Sequence, residues 1–409
     1  MIKLSKIYFH IDVNNAFLSW EAVRRLNLGE KVDLRTIPSA VSGDPKKRTG
    51  VILAKSKIAK DAGVKTGEAI FMAEKKCPNL ILVPPNYPYY EEQSLKMKKI
   101  LEDFSDEIEQ YSIDEFFIAY IPLLGTPNEV AKNIQARIFN ELGFTVNIGI
   151  SDTKYLAKIA SDFEKPNKIH TLFKDEIKEK LWPLKIEEMF LLGPSTAKKL
   201  KAIGIDTVKK LANTDINILK LHLKSHGEEL YNFAWGKDID EKHQKHEKPK
   251  SISHSKTSIY DLTSIDEIYI FILDIVCDTC IRLRRENMKT KNISITLKTS
   301  NFKVYSSSST LETPTDITTN IFEISKKIFN NMYKGEPLRL IGVSLNSLED
   351  GTVTQMNFFD SLSVKDEKLD KTIDNILYKF KDAGLVTRGS LVNNSKIKKT
   401  DTTTKATLI

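Results

Sequence analysis

Asp114 and Glu115 stand side by side in Tyr111–Phe117 (Tyr-Ser-Ile-Asp-Glu-Phe-Phe), and a third acid, Asp12, lies in the apolar run Ile7–Val13. Apolar runs of this kind read as strands through a core. A strand there carries an acid only if the charge is paired, hydrogen-bonded or bound to a cation, because an isolated buried carboxylate costs several kcal/mol or more. Magnesium is the hard divalent cation that oxygen ligands of this kind suit. The competing reading of an Asp-Glu pair at a strand end is a solvated turn. Neighbouring strand residues point to opposite faces, so a shared role for Asp114 and Glu115 requires a tight turn that aims both inward.

The elements that must position these acids follow from hydrophobic periodicity. Strands are expected at Ile7–Val13, Gly50–Ala54, Leu80–Val83, Glu107–Ser112, Phe116–Ile121 and Thr145–Ile150, and helices at Asn15–Asn27, Lys55–Ala62, Tyr89–Phe104 and Pro127–Leu142. The run Thr145–Ser161 supplies a further strand and helix. This alternation predicts a sheet covered by helices.

Six stretches then carry a resemblance: IDVNNAF at Ile11–Phe17, AKDAGVKTGEAI at Ala59–Ile70, YSIDE at Tyr111–Glu115, IGISDTKYLAKIAS at Ile148–Ser161, KPN at Lys165–Asn167 and LRLIGVSLNSL at Leu338–Leu348. Occurring in that order, they resemble the Y-family DNA polymerases, the translesion group that includes bacterial DinB (polymerase IV) and UmuC. The resemblance implies an α+β right-hand fold with a palm (1–17 and 78–167), inserted fingers (18–77), a helical thumb (168–236) and a little finger (251–348).

It also implies roles by position. Asp12, Asp114 and Glu115 would be the catalytic carboxylates, holding two Mg2+ ions with the Val13 carbonyl. Asn14, Asn15, Ala16 and Phe17 lead into a helix whose N–H groups and dipole suit triphosphate oxygens. Phe17 matches the steric gate, an aromatic ring that excludes a ribose 2′-hydroxyl; its plainer role is a helix core residue. Lys60 and Lys165 match cationic phosphate ligands, with a solvated lysine as the alternative. Lys57 and Asn15 stand where some relatives have other residues, and Lys168 stands where the Lys-Pro-Asn motif usually continues with glycine. Lys154 and Lys158 are expected to meet DNA backbone or solvent.

The 409 residues allow two to four domains, and a hydrophobic content of 41% suits globular ones. No run reaches the 18 or more apolar residues of a membrane span, and the N-terminus runs directly into a strand, so a cytoplasmic protein without a removable signal is expected. The net charge of +8 does not by itself identify a nucleic-acid binder. Its distribution is more informative: Arg282, Arg284, Arg285, Lys289, Lys291, Lys298 and Lys303 face a single acid, Glu286, within one stretch. Three cysteines, Cys77, Cys277 and Cys280, fit a reducing compartment. Cys277 and Cys280 fall within an apolar-periodic helix, Ile265–Met288, which argues for core packing over zinc or redox chemistry.

After about residue 167 the chain becomes helical and lysine-rich. Phe190–Leu200 followed by Gly204 reads as a helix-hairpin-helix, which presents backbone N–H groups to a DNA phosphate through Gly193 and Lys198. Leu191 replaces the first turn glycine. Residues 237–250 read as a polar linker, where His243 and His246 have no neighbouring ligands. Residues 251–348 give strand, helix, two strands, helix, strand, the order of a split β-α-β unit. Its open sheet face and the basic residues Arg282, Arg285, Lys298 and Lys303 are expected along DNA. The tail (349–409) carries a weakly amphipathic helix around Val364–Lys381. It also contains Gln355-Met356-Asn357-Phe358-Phe359, which resembles a sliding-clamp-binding peptide, Phe358 and Phe359 filling a pocket; a strand folded back on the body is the alternative.

These features together imply a low-fidelity, template-directed DNA polymerase without proofreading. It would use primer-template DNA and deoxynucleoside triphosphates, contact a replication clamp and act as a monomer. A catalytically silent scaffold and a palm-fold nucleotidyl cyclase are the alternatives; the retained acids oppose the first and the DNA-holding segments the second.

Overall fold

The apolar run Ile7–Val13 becomes the central strand of a sheet because it is buried on both faces and pairs on both edges. The structure is a computed structural model that describes residues 6–44, 50–120, 125–238, 248–351 and 361–379. The proposed clamp residues Gln355, Met356, Phe358 and Phe359 lie outside the described residues, as do His243 and His246. Two compact units emerge, one before and one after the segment that links residues 238 and 248.

In the first unit the elements run β1 (Ile7–Val13), α1 (Ala16–Asn27), β2 (Ser39–Ser42), β3 (Ile52–Lys55), α2 (Lys57–Asp61), α3 (Ile70–Lys76), β4 (Ile81–Val83), α4 (Tyr87–Leu101), β5 (Ile108–Gln110), β6 (Glu115–Tyr120), α5 (Pro127–Leu142), β7 (Val146–Ser151), α6 (Lys154–Asp162) and β8 (Ile169–Thr171). The palm sheet has the order β5-β6-β1-β7-β8, and only the β7/β8 pair is parallel, joined by α6 as its crossover. A core of Phe9, Ile11, Phe116, Ile118, Ile148 and Ile150 from the strands meets Ile134 and Ile138 of α5. A second sheet, β3-β2-β4, forms the fingers.

Two pairings cross the expected boundaries at residues 78 and 167: β4 pairs in parallel with β2, and β8 pairs in parallel with β7.

Next come α7 (Pro194–Ala202), α8 (Val208–Ala212), α9 (Ile216–Leu223) and α10 (Ser225–Ala234). They pack around Leu200, Val208, Leu211, Leu219 and Leu230 as the expected helical thumb. Leu191 adopts φ 63, a left-handed conformation that ordinarily favours glycine, so the hairpin turn keeps its shape despite the substitution.

The second unit contains β9 (Ser251–Leu262), α11 (Ile265–Arg285), β10 (Met288–Thr299), β11 (Val304–Thr315), α12 (Thr318–Met332), β12 (Leu338–Asp350) and α13 (Ser361–Lys379). The sheet order is β11-β10-β12-β9, antiparallel throughout. β9 and β10 therefore run parallel with β12 between them, and β11 and β12 run parallel with β10 between them. This is the expected split β-α-β arrangement, made twice.

The expected tail helix forms as α13 and docks on this unit. The backbone N–H of Thr318 donates to Asp370 Oδ2 at 2.9 Å, Arg284 Nε donates to Asp374 Oδ2 at 2.6 Å, and Thr319 Oγ1 donates to Asp366 Oδ2 at 2.6 Å. α12 has no capping side chain at its own N-cap, Ile317, so Asp370 supplies the missing acceptor from another helix. Cys277 and Cys280 are buried on α11, no disulfide joins them, and burial pushes the Cys280 thiol up, as packing residues require. Among the described residues, no helix is long and apolar enough to cross a membrane.

Candidate active site and nucleic-acid interface

Strand register brings the acids together. Asp12 lies directly opposite Glu115 in the antiparallel β1/β6 pair, which puts both side chains on one face. Asp114 belongs to the turn before β6. The Tyr111 and Ser112 N–H groups both donate to the Glu115 carbonyl, at 2.9 and 3.2 Å, closing the tight turn that the adjacent acids require. The Ser112 hydroxyl donates to Asp114 Oδ1 at 2.7 Å and lies 3.5 Å from Glu115 Oε2, so both carboxylates face one hydroxyl. The Val13 N–H donates to the Asp114 carbonyl at 3.1 Å, which ties the turn to the end of β1.

Burial pushes the Asp12 carboxyl up, and Lys165 and Lys158 only partly offset this. Burial also raises Asp114; Ser112 pulls it back and the charge of Asp12 adds to the rise. Such an oxygen donor set, Asp12 and Asp114 with their ionised forms disfavoured by burial and Glu115 beside them, fits hard divalent cations.

The sequence did not foresee what stands among these acids. Lys158 Nζ sits 2.6 Å from Glu115, 3.3 Å from Asp162 and 3.8 Å from Asp12. Lys165 Nζ sits 2.5 Å from Asp12 and 2.8 Å from Asp162. With ammonium groups between the acids, no trio of His, Cys, Asp or Glu side chains among the described residues is gathered at metal-holding spacing. Of the two α6 lysines expected to meet DNA backbone or solvent, Lys158 is buried and Lys154 pairs with Glu109 at 2.5 Å. The readable signal was their setting, Lys158 lying between the apolar residues Ala157 and Ile159 and four positions before Asp162.

The expected phosphate cradle is redrawn as well. The Asn14 N–H donates to the Thr145 carbonyl; its side-chain amide donates to Asn147 and its oxygen accepts from Thr145 and Asn167. Asn14 thus braces the loops beneath the site, and one of its two side-chain amide N–H groups is used in doing so. Asn15 takes a left-handed conformation (φ 52), its side chain donates to the Lys55 carbonyl, and no side chain caps α1. The first N–H groups of α1, at Ala16 and Phe17, therefore point out of the helix end.

The partly exposed Phe17 ring stacks on Tyr90 (centroids 5.0 Å, 20°) and meets Tyr87 edge-on at 5.8 Å. Tyr90 is held in turn by Glu21, a buried acid that pairs with Arg24 and Arg25. Lys60 is exposed on α2, close enough to help lower the Lys55 ammonium, whose main cause is burial. Lys57 is paired with Asp61.

In the thumb, Gly193 is the N-cap of α7 and is exposed, as is Lys198 one turn further on. In the second unit the cationic stripe divides between two layers. Arg282 donates to the Ser253 carbonyl and Arg284 is taken by Asp374, both from α11, while exposed Arg285 ends that helix. Lys289, Lys291 and Lys298 lie on β10 and Lys303 in the turn beyond it; Lys298 lies 4.8 Å over the exposed Phe302 ring. A stretch contiguous in sequence is split because α11 covers one face of the sheet and the hairpin lies beyond it.

The opposite face is uniform. Register aligns Ser253, Ser344, Ser294 and Ser308 in one row, and Ser255, Gly342, Thr296 and Ser306 in the next. Small hydroxyl side chains across four strands leave a smooth polar surface, a form suited to following a nucleic-acid backbone.

A family model described as the impB/mucB/samB family matches residues 11–162, its C-terminal domain model matches 249–358, and the family's HHH motif matches 174–205. DNA polymerase IV of Clostridium acetobutylicum is 43% identical over 382 residues, spanning 93% of this chain and 96% of that protein. DNA polymerase IV of Clostridium kluyveri is 33% identical over 96% of this chain and 100% of that one, and DNA polymerase IV 2 of Bacillus subtilis is 33% identical over 94% and 95%. Among solved structures, a Y-family DNA polymerase chimera aligns with a TM-score of 0.70 at 22% identity, covering 84% of this chain and 99% of that one, a likeness of fold. With its acids, gate-like aromatic and hairpin turn all within the matched regions, the chain belongs to the impB/mucB/samB family, the Y-family DNA polymerases that its motifs resemble.

Proposed function

We propose that this chain is a translesion DNA polymerase, which extends a primer 3′ end on a template with deoxynucleoside triphosphates. The observation that carries the reading is the meeting of Asp12, Asp114 and Glu115 on one face of the palm, at the open N-terminus of α1, in a chain of this family. Asp12, Asp114 and Glu115, with the Val13 carbonyl, would hold two Mg2+ ions. Bound divalent cations supply Lewis-acid activation and neutralise developing charge.

The chain's own residues do the rest. The N–H groups of Ala16 and Phe17, with the α1 dipole, orient the triphosphate. The exposed Lys60 and the partly exposed Lys165 add positive charge to the phosphate side. The Phe17 ring, backed by Tyr87 and Tyr90, forms a wall beside the sugar that a 2′-hydroxyl would strike. Gly193 and Lys198 of the thumb, and Lys298 and Lys303 with the hydroxyl-lined sheet face of the second unit, contact the DNA backbone. Arg285, exposed at the end of α11, and Arg282, which uses one N–H group on the Ser253 carbonyl, are further candidate contacts.

Low fidelity follows from small side chains such as Ala54 and Ser56 near the nascent pair. A clamp contact through Gln355, Met356, Phe358 and Phe359, monomeric action and a cytoplasmic location belong to the same reading. The test is extension of a primed template carrying one defined lesion, wild type beside Asp114→Ala. Template-dependent extension by wild type, lost in the variant, is expected; product without a template would favour a cyclase, and none from wild type a silent scaffold.

A further inference from the structure

Lys158 is the most confined cation in the first unit's acid cluster. Its side chain is 8% exposed, against 38% for Lys165, and it lies on α6 between buried Ala157 and Ile159. The helix itself is clamped. Gly149 of β7 leaves the gap into which Ala157, Ala160 and Ser161 fit. The Ser161 hydroxyl donates its one proton to the Lys158 carbonyl at 2.7 Å. It must therefore accept from His10 Nδ1, 2.8 Å away, which assigns the Nδ1–H tautomer. His10 stands two residues before Asp12 on β1. Lys158 is thus fixed through its backbone to the same strand that carries Asp12, while its ammonium reaches Glu115 and Asp12 at once.

We propose that Lys158 is a positioning residue, a built-in positive charge that aims Glu115 and cancels part of the cluster's repulsion, while the more exposed Lys165 is the ammonium released to an incoming triphosphate. The proposal rests on the polymerase reading given above. Three carboxylates on one buried face repel one another, and a charge that cannot leave lets them stay together in the nucleotide-free protein. The same charge opposes cation entry, so ion binding is held weak until the triphosphate brings its own negative charge.

The test uses the full chain, with Mn2+ alone as probe, measured by calorimetry without nucleotide. Lys158→Met is expected to bind Mn2+ about tenfold more tightly than wild type, because a unit charge a few ångströms from the ligands has gone. Lys158→Arg, which keeps the charge, should bind Mn2+ as wild type does. In primer extension, Lys158→Met should lose kcat by about tenfold or more with the nucleotide KM little changed, and Lys165→Met should raise KM instead. Unchanged or weaker Mn2+ binding by folded Lys158→Met, or a loss carried by KM, would overturn the proposal. If Lys158→Met is unfolded without metal, Mn2+ should restore its thermal transition; a protein that stays unfolded at saturating Mn2+ would make the lysine a packing element and equally overturn it. Wild-type extension runs alongside: its absence would sink the polymerase reading itself, whereas its presence with the adverse results above sinks only the role of Lys158.

Discussion

Gly149→Ala gives the most direct test of how the palm sheet holds its chemistry. A Cβ at this position would lie 2.0 Å from the Ala157 carbonyl oxygen and 2.4 Å from the Ser161 nitrogen, the two ends of one helical hydrogen bond in α6. Both are backbone atoms, so no side chain can swing away. Real Cβ contacts do not fall below 3.0 Å, so α6 must retreat by about 1 Å. Overpacking against rigid backbone lies at the upper end of its range, about 3 kcal/mol. For a unit of this size that lowers Tm by roughly 6–12 °C. The same shift opens the 2.6 Å contact of Lys158 with Glu115 beyond hydrogen-bond range, and a misplacement of about 1 Å can cost on the order of 10²-fold in rate. Thermal denaturation by circular dichroism, then primer extension well below the variant's Tm, measure the two effects separately. For the Tm measurement alone, Gly193→Ala is the control, since its added Cβ would meet nothing within 4 Å and its φ is −77. A Gly149→Ala protein with wild-type Tm and rate would refute the claim that close approach of α6 to β7 sets the site.

Phe17→Ala should relax discrimination against ribonucleotides by about tenfold or more, and Tyr90→Ala should do so partially by freeing the Phe17 ring; competition between matched ribo- and deoxynucleotides reads both. Asp370→Ala removes the acceptor that caps α12 from α13 and should cost about 1–2 kcal/mol in urea denaturation, with Asp370→Asn recovering part of it. Lys256 lies between Asp274 and Asp278, 2.7 and 2.6 Å away, so Lys256→Met should destabilise the chain by about 2 kcal/mol at pH 7. That difference has a defined pH window. Burial works to raise the Asp278 carboxyl, but His254 and Lys256 outweigh it and hold it below the usual range. The contribution is therefore fully present above the unfolded value of about 3.9 and is lost as pH falls through the depressed folded value, so the two proteins should converge in stability below about pH 4. A gap that persists at lower pH would count against the pairing.

Long periodic segments were legible because their pattern spans several turns or a full strand: the ends of β1 and α5 agree with the sequence to the residue, and the order of the second unit follows its strand and helix runs. Short elements were not. β2, α3 and β8 have three to seven residues, too few for a period to show, and the two sheet strands among them are defined by their partners β4 and β7. The acid trio was readable because carboxylates are out of place in apolar strands. Lys158 was missed because a lysine on a helix normally reaches solvent, although its place between Ala157 and Ile159 marked a buried helix face, which packs against Gly149. The bracing contacts of Asn14 were hidden for a related reason, since its partners Thr145, Asn147 and Asn167 lie more than a hundred residues away in sequence.

The adjacency of Asp114 and Glu115 leads to a last prediction, Ser112→Ala. Strand alternation alone would send the two carboxylates to opposite faces. The turn escapes this because Glu115 is the first residue in register with Asp12, whereas Asp114 precedes the strand and is oriented locally by the Ser112 hydroxyl at 2.7 Å. A hydrogen bond to a charged group contributes about 1.5–3 kcal/mol, so its loss should lower kcat by roughly ten- to a hundredfold if Asp114 must be aimed. The Tyr111 and Ser112 backbone bonds to Glu115 do not depend on the hydroxyl, so Tm should barely move. Ser112→Thr keeps the donor and should retain most of the rate. If Ser112→Ala extends primers at the wild-type rate, the backbone turn alone aims the acids and the hydroxyl is incidental; if it loses rate and Tm together, the residue holds the fold and not the carboxylate.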